Sequence, residues 1–233
     1  SFSLSSSSNH HIKFNTTTIT SMATDALGSL CYWIYPDSVS GSVFMAGGTG
    51  TNGGVLQNAF NGNAPRLVIF NTAGATRLVC NMGTVSSGTW SNICWVQDGV
   101  EIKGYIDGSL QTMVYEDSTD KTAWFSQAVP TLMGLGVYQD SNGTTFSTPY
   151  DGRIDDFRYY PTAISQVAVQ AIYAEGSGNE ALVTTAREGT TFKQGTFAYK
   201  VTLASGSYAI ISQSLASSGS IAGNNVDFGM FAF

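Results

Sequence analysis

The chain has 233 residues, of which 42% are hydrophobic and only 11% are charged. Because soluble domains usually carry roughly 25% charged residues, this composition excludes a charge-rich disordered chain, a coiled coil and a collagen. Ten Lys and Arg against 16 Asp and Glu give a formal net charge of −6, and the lysines are isolated along the chain. Nucleic acid is therefore excluded as a partner, since no basic stripe is present to bind phosphate. No apolar run reaches the roughly 18 residues of a membrane-spanning helix.

Most of the chain reads as short β-strands, with alternating apolar residues and many β-branched and aromatic side chains. The predicted strands are residues 29–35, 66–70, 76–80, 90–97, 101–106, 110–115, 131–138 and 152–160. Residues 71–74 predict a hairpin turn, and Asp107-Gly108 is the strongest turn signal in the chain. Strands this short and evenly spaced predict an all-β sandwich or barrel.

One short helix is predicted after the last of these strands, over residues 166–175, with Ser165 able to cap its first turn. Val169, Ile172 and Tyr173 share one helical face. We therefore expect the helix to lie against the sandwich.

The chain is predicted to have two parts, a sandwich at residues 1–176 and a β-rich C-terminal extension at residues 177–233. The extension is too short for an independent core, so we expect it to dock on the sandwich, on a neighbouring chain, or on residues outside this sequence. Its end is unusually apolar, and an exposed strand of that kind would template aggregation. It either pairs within its own sheet or completes the sheet of a neighbour. The predicted assembly residues are Phe228, Met230, Phe231 and Phe233.

The three cysteines are Cys31, Cys80 and Cys94, an odd number without CxxC spacing. Cys31 and Cys94 lie in aromatic strand sequence, where small buried thiols are common. Buried free thiols are therefore favoured over a disulfide, and the cysteines do not identify the cellular compartment.

Four stretches of sequence carry a resemblance to a known family. They are SLSSSSNHHIKF (3–14), LCYWIYP (30–36), GTWSNICWV with GYIDG (88–108) and YDGRIDDFRYY (150–160). In this order they resemble the laminin-G-like branch of the concanavalin A-like lectin/glucanase superfamily, over about residues 1–176. The resemblance implies a jelly-roll sandwich of two antiparallel sheets. Members of the family include glycan-binding lectins, protein-binding modules, glucanases, and architectural domains of adhesins and viral particles.

The acidic residues and histidines do not predict an enzyme. The ExDxxE pattern of the glucanase members is absent, and the nearest acidic cluster is Asp151, Asp155 and Asp156. Asp151 and Asp155 would lie about 13 Å apart in a strand, whereas glycosidase carboxylates are roughly 5–9.5 Å apart. The resemblance implies a structural role for Asp155. His10 and His11 are adjacent, so they point to opposite faces of a strand and cannot hold one metal together without a turn.

Calcium is the one candidate cofactor, because a loop with carboxylate and amide oxygens suits this ion. The predicted metal residues are Asp140, Asn142 and Asp151, and a plain glycine-containing turn is the favoured alternative.

Aromatic residues are the candidates for stacking on sugar rings. By the resemblance, Trp33 and Trp90 occupy core positions and are expected to pack. The loops at 117–125 and 139–150 carry the better ligand candidates, although each ring is more often an anchor for its own loop. The predicted ligand-binding residues are Trp124, Tyr138, Asn142 and Tyr150.

The leading hypothesis is a non-catalytic structural or adhesive module of an extracellular, cell-surface or virion assembly. Its expected partners are protein subunits of that assembly, as a homo-oligomer or within a larger complex. The alternative is a glycan-binding lectin that uses the loops at 117–125 and 139–150. A glycoside hydrolase or polysaccharide lyase is the third hypothesis.

Overall fold

The structure is a computed structural model of the chain, and it describes residues 1–5, 11–48, 54–136, 138–139 and 146–176. Residues 1–173 form one compact unit. The fold is an all-β jelly-roll sandwich of two antiparallel sheets, as the sequence predicted. The predicted C-terminal extension lies outside the described residues.

Fifteen strands and three helices are present in the described part of the chain. The strands are β1 (Phe2–Leu4), β2 (Ile12–Lys13), β3 (Gly28–Pro36), β4 (Ser42–Gly47), β5 (Val55–Asn61), β6 (Ala64–Phe70), β7 (Thr76–Asn81), β8 (Ser91–Gln97), β9 (Ile102–Ile106), β10 (Ser109–Leu110), β11 (Val114–Asp117), β12 (Leu132–Leu135), β13 (Tyr138–Gln139), β14 (Phe146–Ser147) and β15 (Gly152–Tyr160). The helices are α1 (Thr16–Met22), α2 (Phe125–Ala128) and α3 (Gln166–Gly176). None of these helices is long and apolar enough to cross a membrane.

The two sheets differ in their strand order. The six-stranded sheet runs β1-β15-β3-β8-β9-β10, and the seven-stranded sheet runs β11-β7-β6-β5-β4-β12-β2, while β13 and β14 pair separately. Every second residue of β3 points into the space between the sheets. Leu30, Tyr32 and Ile34 therefore belong to the main core cluster. Cys31 lies in a second cluster outside the main core, as the two-residue period of a strand requires.

The turn at Asp107-Gly108 is confirmed, but the strand predicted after it is wrong. Both turn residues have positive φ, 51° and 75°, as a two-residue hairpin turn of this kind requires. The hairpin joins β9 to the short strand β10. The chain then leaves this sheet, and β11 pairs with β7 of the other sheet. The predicted strand 110–115 is therefore two strands, because the segment crosses between the layers.

Helix α3 packs as predicted. The Ser165 hydroxyl accepts a hydrogen bond from the backbone N–H of Ala168 at 3.2 Å, which caps the first turn. Val169 and Ile172 are buried in the second cluster together with Cys31 and Cys94. The helix therefore covers part of the outer face of the six-stranded sheet.

The expectation of free thiols is wrong for two of the three cysteines. Cys31 on β3 and Cys94 on β8 are direct cross-strand partners and form a disulfide. Neighbouring antiparallel strands bring such residues within disulfide reach, and this pairing is invisible when each strand is read separately. Cys80 is a buried free thiol, as predicted, and burial raises its pKa to about 12.

Candidate functional site

Two of the predicted ligand-binding rings lie in the core. Trp124 and Tyr150 are fully buried. Trp124 contacts Phe125 edge to face, with 5.3 Å between ring centroids, and Tyr150 stacks on Phe60 at 6.2 Å. Neither ring is available to a ligand from solvent, so the prediction that Trp124 and Tyr150 bind a ligand is wrong. Both anchor their loops, which was the alternative interpretation.

The other predicted site residues fall at the edge of the described chain. Asp140 and Asn142 lie outside the described residues, and Tyr138 is described only by its backbone in β13. Asp151 is half-buried, and its carbonyl accepts hydrogen bonds from the backbone N–H groups of Asp37 and Ser38 at 2.9 and 3.3 Å. Within the described residues, no three His, Cys, Asp or Glu side chains are grouped so that they could hold a metal ion. Calcium binding stays a prediction.

The acidic residues of β15 make local structural contacts. One carboxylate oxygen of Asp155 accepts a hydrogen bond from the backbone N–H of Asp156 at 2.9 Å. Asp156 has a positive φ of 49° at an irregularity in the ladder with β3, and its carboxylate pairs with Arg158 at 2.7 Å. These contacts fix the bulge in the strand.

Among the residues that the structure describes, the carboxyl groups with clearly shifted pKa values all move downward. A hydrogen bond from Lys103 lowers the pKa of Asp98 to about 2. Hydrogen bonds from Asn81 and Arg66 lower the pKa of Glu116, and a hydrogen bond from the Thr122 hydroxyl lowers that of Asp120. A general acid in a glycosidase needs a raised pKa. These three groups are therefore unsuited to that role.

An outward-facing cluster that the sequence did not predict lies at one end of the six-stranded sheet. We call Tyr35, Trp90 and Arg153 the aromatic ledge. Tyr35 lies near the end of β3, Arg153 is its direct partner on β15, and Trp90 immediately precedes β8. The rings of Tyr35 and Trp90 meet edge to face at 5.5 Å, and the Arg153 guanidinium carbon lies 4.3 Å from the Tyr35 ring centroid.

The ledge overturns the expectation that Trp33 and Trp90 are core residues. Trp90 is 36% exposed. Trp33 is half-buried on the outer face, where it stacks on Tyr173 of α3 at 5.7 Å. Beside the ledge, a Cβ on Gly88 would meet only the Tyr35 hydroxyl, at 4.0 Å. The space around Gly88 is thus open.

The ledge combines the groups that bind a sugar ring. An exposed indole offers a flat apolar surface to the C–H face of a sugar, and a guanidinium donates several hydrogen bonds. None of the ion pairs in the described part of the chain includes Arg153. The guanidinium donors of Arg153 are therefore not used in any of these ion pairs.

The fold is that of a lectin-like β-sandwich. The chain belongs to the concanavalin A-like lectin/glucanase superfamily, whose laminin-G-type family model matches residues 6–170, more than two thirds of its length. No curated protein has a significantly similar sequence.

Several solved structures share the fold. The native heptameric SAP-like pentraxin of Limulus polyphemus is 18% identical, with a TM-score of 0.52 over 70% of this chain and 75% of that chain. The CBM40 of the Ruminococcus gnavus IT-sialidase, bound to α2,3-sialyllactose, is 16% identical, with a TM-score of 0.54 over 65% of this chain and 84% of that chain. The NanB sialidase of Streptococcus pneumoniae is 12% identical, with a TM-score of 0.56 over 72% of this chain and 26% of that chain. At these identities the similarity is one of fold.

Proposed function

We propose that this chain is a non-catalytic adhesive module of an extracellular or virion assembly, and that it binds glycans through the aromatic ledge. The observation that carries the proposal is the exposed indole of Trp90 in contact with Tyr35, whose ring also contacts the guanidinium of Arg153. This surface replaces the loops at 117–125 and 139–150 as the binding site that we favour.

The ledge is suited to binding because its side chains are already ordered. Contact with Tyr35 restricts the Trp90 ring, and stacking on Tyr35 restricts Arg153. Binding then costs less side-chain entropy than it would for isolated surface residues. A glycan that stacks on Trp90 and extends across Tyr35 would bring hydroxyl or carboxylate oxygens to the Arg153 donors, which favour such oxygens.

Two observations support a non-catalytic role. The shifted carboxyl groups are held ionised by their partners, whereas a glycosidase acid must be protonated at working pH. The chain also covers only 26% of the NanB sialidase with which it shares a fold, so that similarity extends to only part of the enzyme.

The disulfide supports an extracellular setting, because disulfides persist in oxidising compartments. The low proportion of charged residues, 11%, suits an external protein, and a virion is one such setting. Calcium at Asp140, Asn142 and Asp151 remains part of the proposal as the one candidate cofactor.

A glycan array, covering neutral and acidic glycans, tests the binding site with three variants. Trp90→Ala removes the stacking surface, Arg153→Ala removes the donors, and Leu27→Ala is a control at a side chain of matched exposure, 37%. When a sugar covers the exposed Trp90 indole, removing the indole costs about 1.5–3 kcal/mol of binding free energy. That is roughly tenfold or more in affinity. We expect weaker binding in the first two variants and no change in the control.

A wild-type protein that binds no glycan on the array would end the ledge proposal. The same holds if Trp90→Ala binds as tightly as the wild type while retaining the same circular dichroism spectrum.

Assembly is tested separately on the full chain. We propose that the apolar C-terminal residues Phe228, Met230, Phe231 and Phe233, which lie outside the described residues, join copies of the chain or other subunits. Light scattering coupled to size exclusion should show an oligomer that becomes smaller when these four residues are changed to Ser. A wild-type monomer at micromolar concentration would count against self-assembly.

A further inference from the structure

A second surface cluster lies on the seven-stranded sheet, away from the strands that carry the aromatic ledge. We call Asn61, Arg66, Asn81 and Glu116 the polar cluster. Its members come from four neighbouring strands, β5, β6, β7 and β11. Arg66 and Asn81 are direct cross-strand partners, so their side chains start from adjacent positions on one face.

A β-bulge aims Glu116 at this cluster. In the pairing of β11 with β7, Val114 faces Asn81, Tyr115 faces Cys80 and Asp117 faces Val79, while Glu116 has no partner in the ladder. An extra residue of this kind bends the strand and redirects its side chain. The edge strand thereby presents its carboxylate to the neighbouring strands.

The carboxylate of Glu116 organises the cluster. One of its oxygens accepts hydrogen bonds from the side-chain amides of Asn61 and Asn81 at 2.9 and 3.1 Å. Its other oxygen accepts a hydrogen bond from the Arg66 guanidinium. A carboxylate has about four acceptor sites and a guanidinium has five donors. The contacts described therefore leave an acceptor site on the carboxylate next to further donors on the guanidinium.

The buried part of the cluster also has hydrogen-bonding capacity to spare. Asn81 is only 8% exposed, and its side-chain oxygen has no hydrogen-bond partner in the described structure. The Nε of Arg66 is likewise buried without a partner. Buried polar groups of this kind are costly to leave unpaired. The cluster therefore contains hydrogen-bonding groups that its own side chains do not satisfy.

The charges of the cluster select the class of ligand. Arg66 and Glu116 form an ion pair, with 33% and 38% of their side chains exposed. The positive and negative charges cancel, so neither an anion nor a cation gains from net attraction. A hydroxyl group, which both donates and accepts hydrogen bonds, matches a free acceptor beside free donors. Val114, which is 59% exposed and faces Asn81 across the strands, adds an apolar contact for C–H groups.

We propose that the polar cluster is a second carbohydrate-binding site, specific for the hydroxyl groups of a neutral sugar. The module would then contact glycan on both of its sheets, which raises avidity for a surface that carries many chains. This inference rests on the proposed function for its ligand class, but its residues are separate from those of the aromatic ledge.

Affinity electrophoresis in gels that contain soluble glucan, mannan or galactan tests the second site. Glu116→Ala removes the central acceptor, and Glu101→Ala is a control at another exposed glutamate in an ion pair, with Lys121 at 3.5 Å. Exposed ion pairs of this kind contribute little to stability, but Glu116→Ala also leaves the side-chain amide of Asn81 without its acceptor. The circular dichroism spectrum of each variant is therefore matched to that of the wild type before binding is measured. We expect wild-type migration to be retarded by at least one of these polysaccharides, with affinity falling about tenfold in Glu116→Ala and unchanged in Glu101→Ala.

The variants Glu116→Ala and Trp90→Ala separate the two proposals. If Glu116→Ala weakens binding to the neutral polysaccharide while Trp90→Ala retains it, the second site is supported. This holds whether or not the glycan array supports the ledge. If Trp90→Ala alone loses binding, the ledge stands and the second site is refuted. The second site is also refuted if none of the three polysaccharides retards the wild type.

Discussion

Removal of the Cys31–Cys94 disulfide should destabilise the sandwich by several kcal/mol. The bond joins residues that are 63 positions apart, on β3 and β8 of the six-stranded sheet. In the chain-entropy description, closing a loop of that length in the unfolded state stabilises the fold by about 4 kcal/mol. We therefore expect the free energy of unfolding to fall by about that amount in Cys31→Ala/Cys94→Ala. The loss should come mainly from the unfolded chain, which gains conformational freedom.

Guanidinium unfolding with and without dithiothreitol measures this effect. Reductant should lower the midpoint of the wild type and leave the double variant unchanged, while Cys80→Ala should respond like the wild type because Cys80 is a free thiol. Alkylation of the denatured, unreduced protein should modify one cysteine, and alkylation after reduction should modify all three. Modification of three cysteines before reduction would refute the disulfide and the stability assigned to it.

Two further predictions concern the core and the surface. Tyr32→Phe removes the buried hydroxyl that donates to Asn58 at 3.0 Å and accepts from the Trp95 indole N–H at 3.2 Å. Each buried partner left unpaired costs about 1–3 kcal/mol, and a midpoint in guanidinium equal to the wild type's would contradict this network. A hydrogen bond from Lys103 lowers the pKa of Asp98 from 3.8 to about 2. The contribution of the ionised Asp98 carboxylate to the free energy of unfolding is therefore complete above about pH 4 and is lost as the pH falls toward 2. The difference in unfolding free energy between the wild type and Asp98→Asn should shrink over that range, and a difference independent of pH would contradict the ion pair.

The strands were predictable where local sequence alone decides them. The predicted strand 152–160 coincides with β15, and the predicted hairpin around residues 71–74 joins β6 to β7. In that turn, the Asn71 side chain accepts hydrogen bonds from the backbone N–H groups of Ala73 and Ala75, which is the contact that makes Asn a turn residue. The two-residue alternation of a strand and the residue preferences of a turn depend only on neighbouring residues, so both can be read from the sequence.

Helix α1 was missed because long-range packing overrides local propensity. Its sequence, TTTITSM, is rich in β-branched residues that disfavour helices. The Asn15 side chain caps it by accepting a hydrogen bond from the backbone N–H of Thr18 at 3.0 Å, and Ile19 and Met22 are buried. The cap and the burial together stabilise a helix that propensity alone does not predict.

The aromatic candidates were misplaced for a related reason. Trp124 follows a polar loop but lies at the start of α2, which is buried in the core with Phe125. Trp90 precedes a strand whose seven residues are all buried, yet its own ring is exposed. Whether a ring at the end of an element points inward depends on the layer that covers it. The neighbouring sequence does not contain that information.

Both proposed sites use the outer side of strands whose inner side forms the core. Tyr35 follows Ile34, and Arg66 precedes Leu67; each neighbour is almost completely buried in the main core cluster. Since successive residues of a strand face opposite sides, a change at Trp90 or Glu116 removes no side chain of the main core cluster. The same change at Trp124 would open a cavity. Loss of binding in a variant of these outward residues that keeps the circular dichroism spectrum of the wild type can therefore be read as loss of a site.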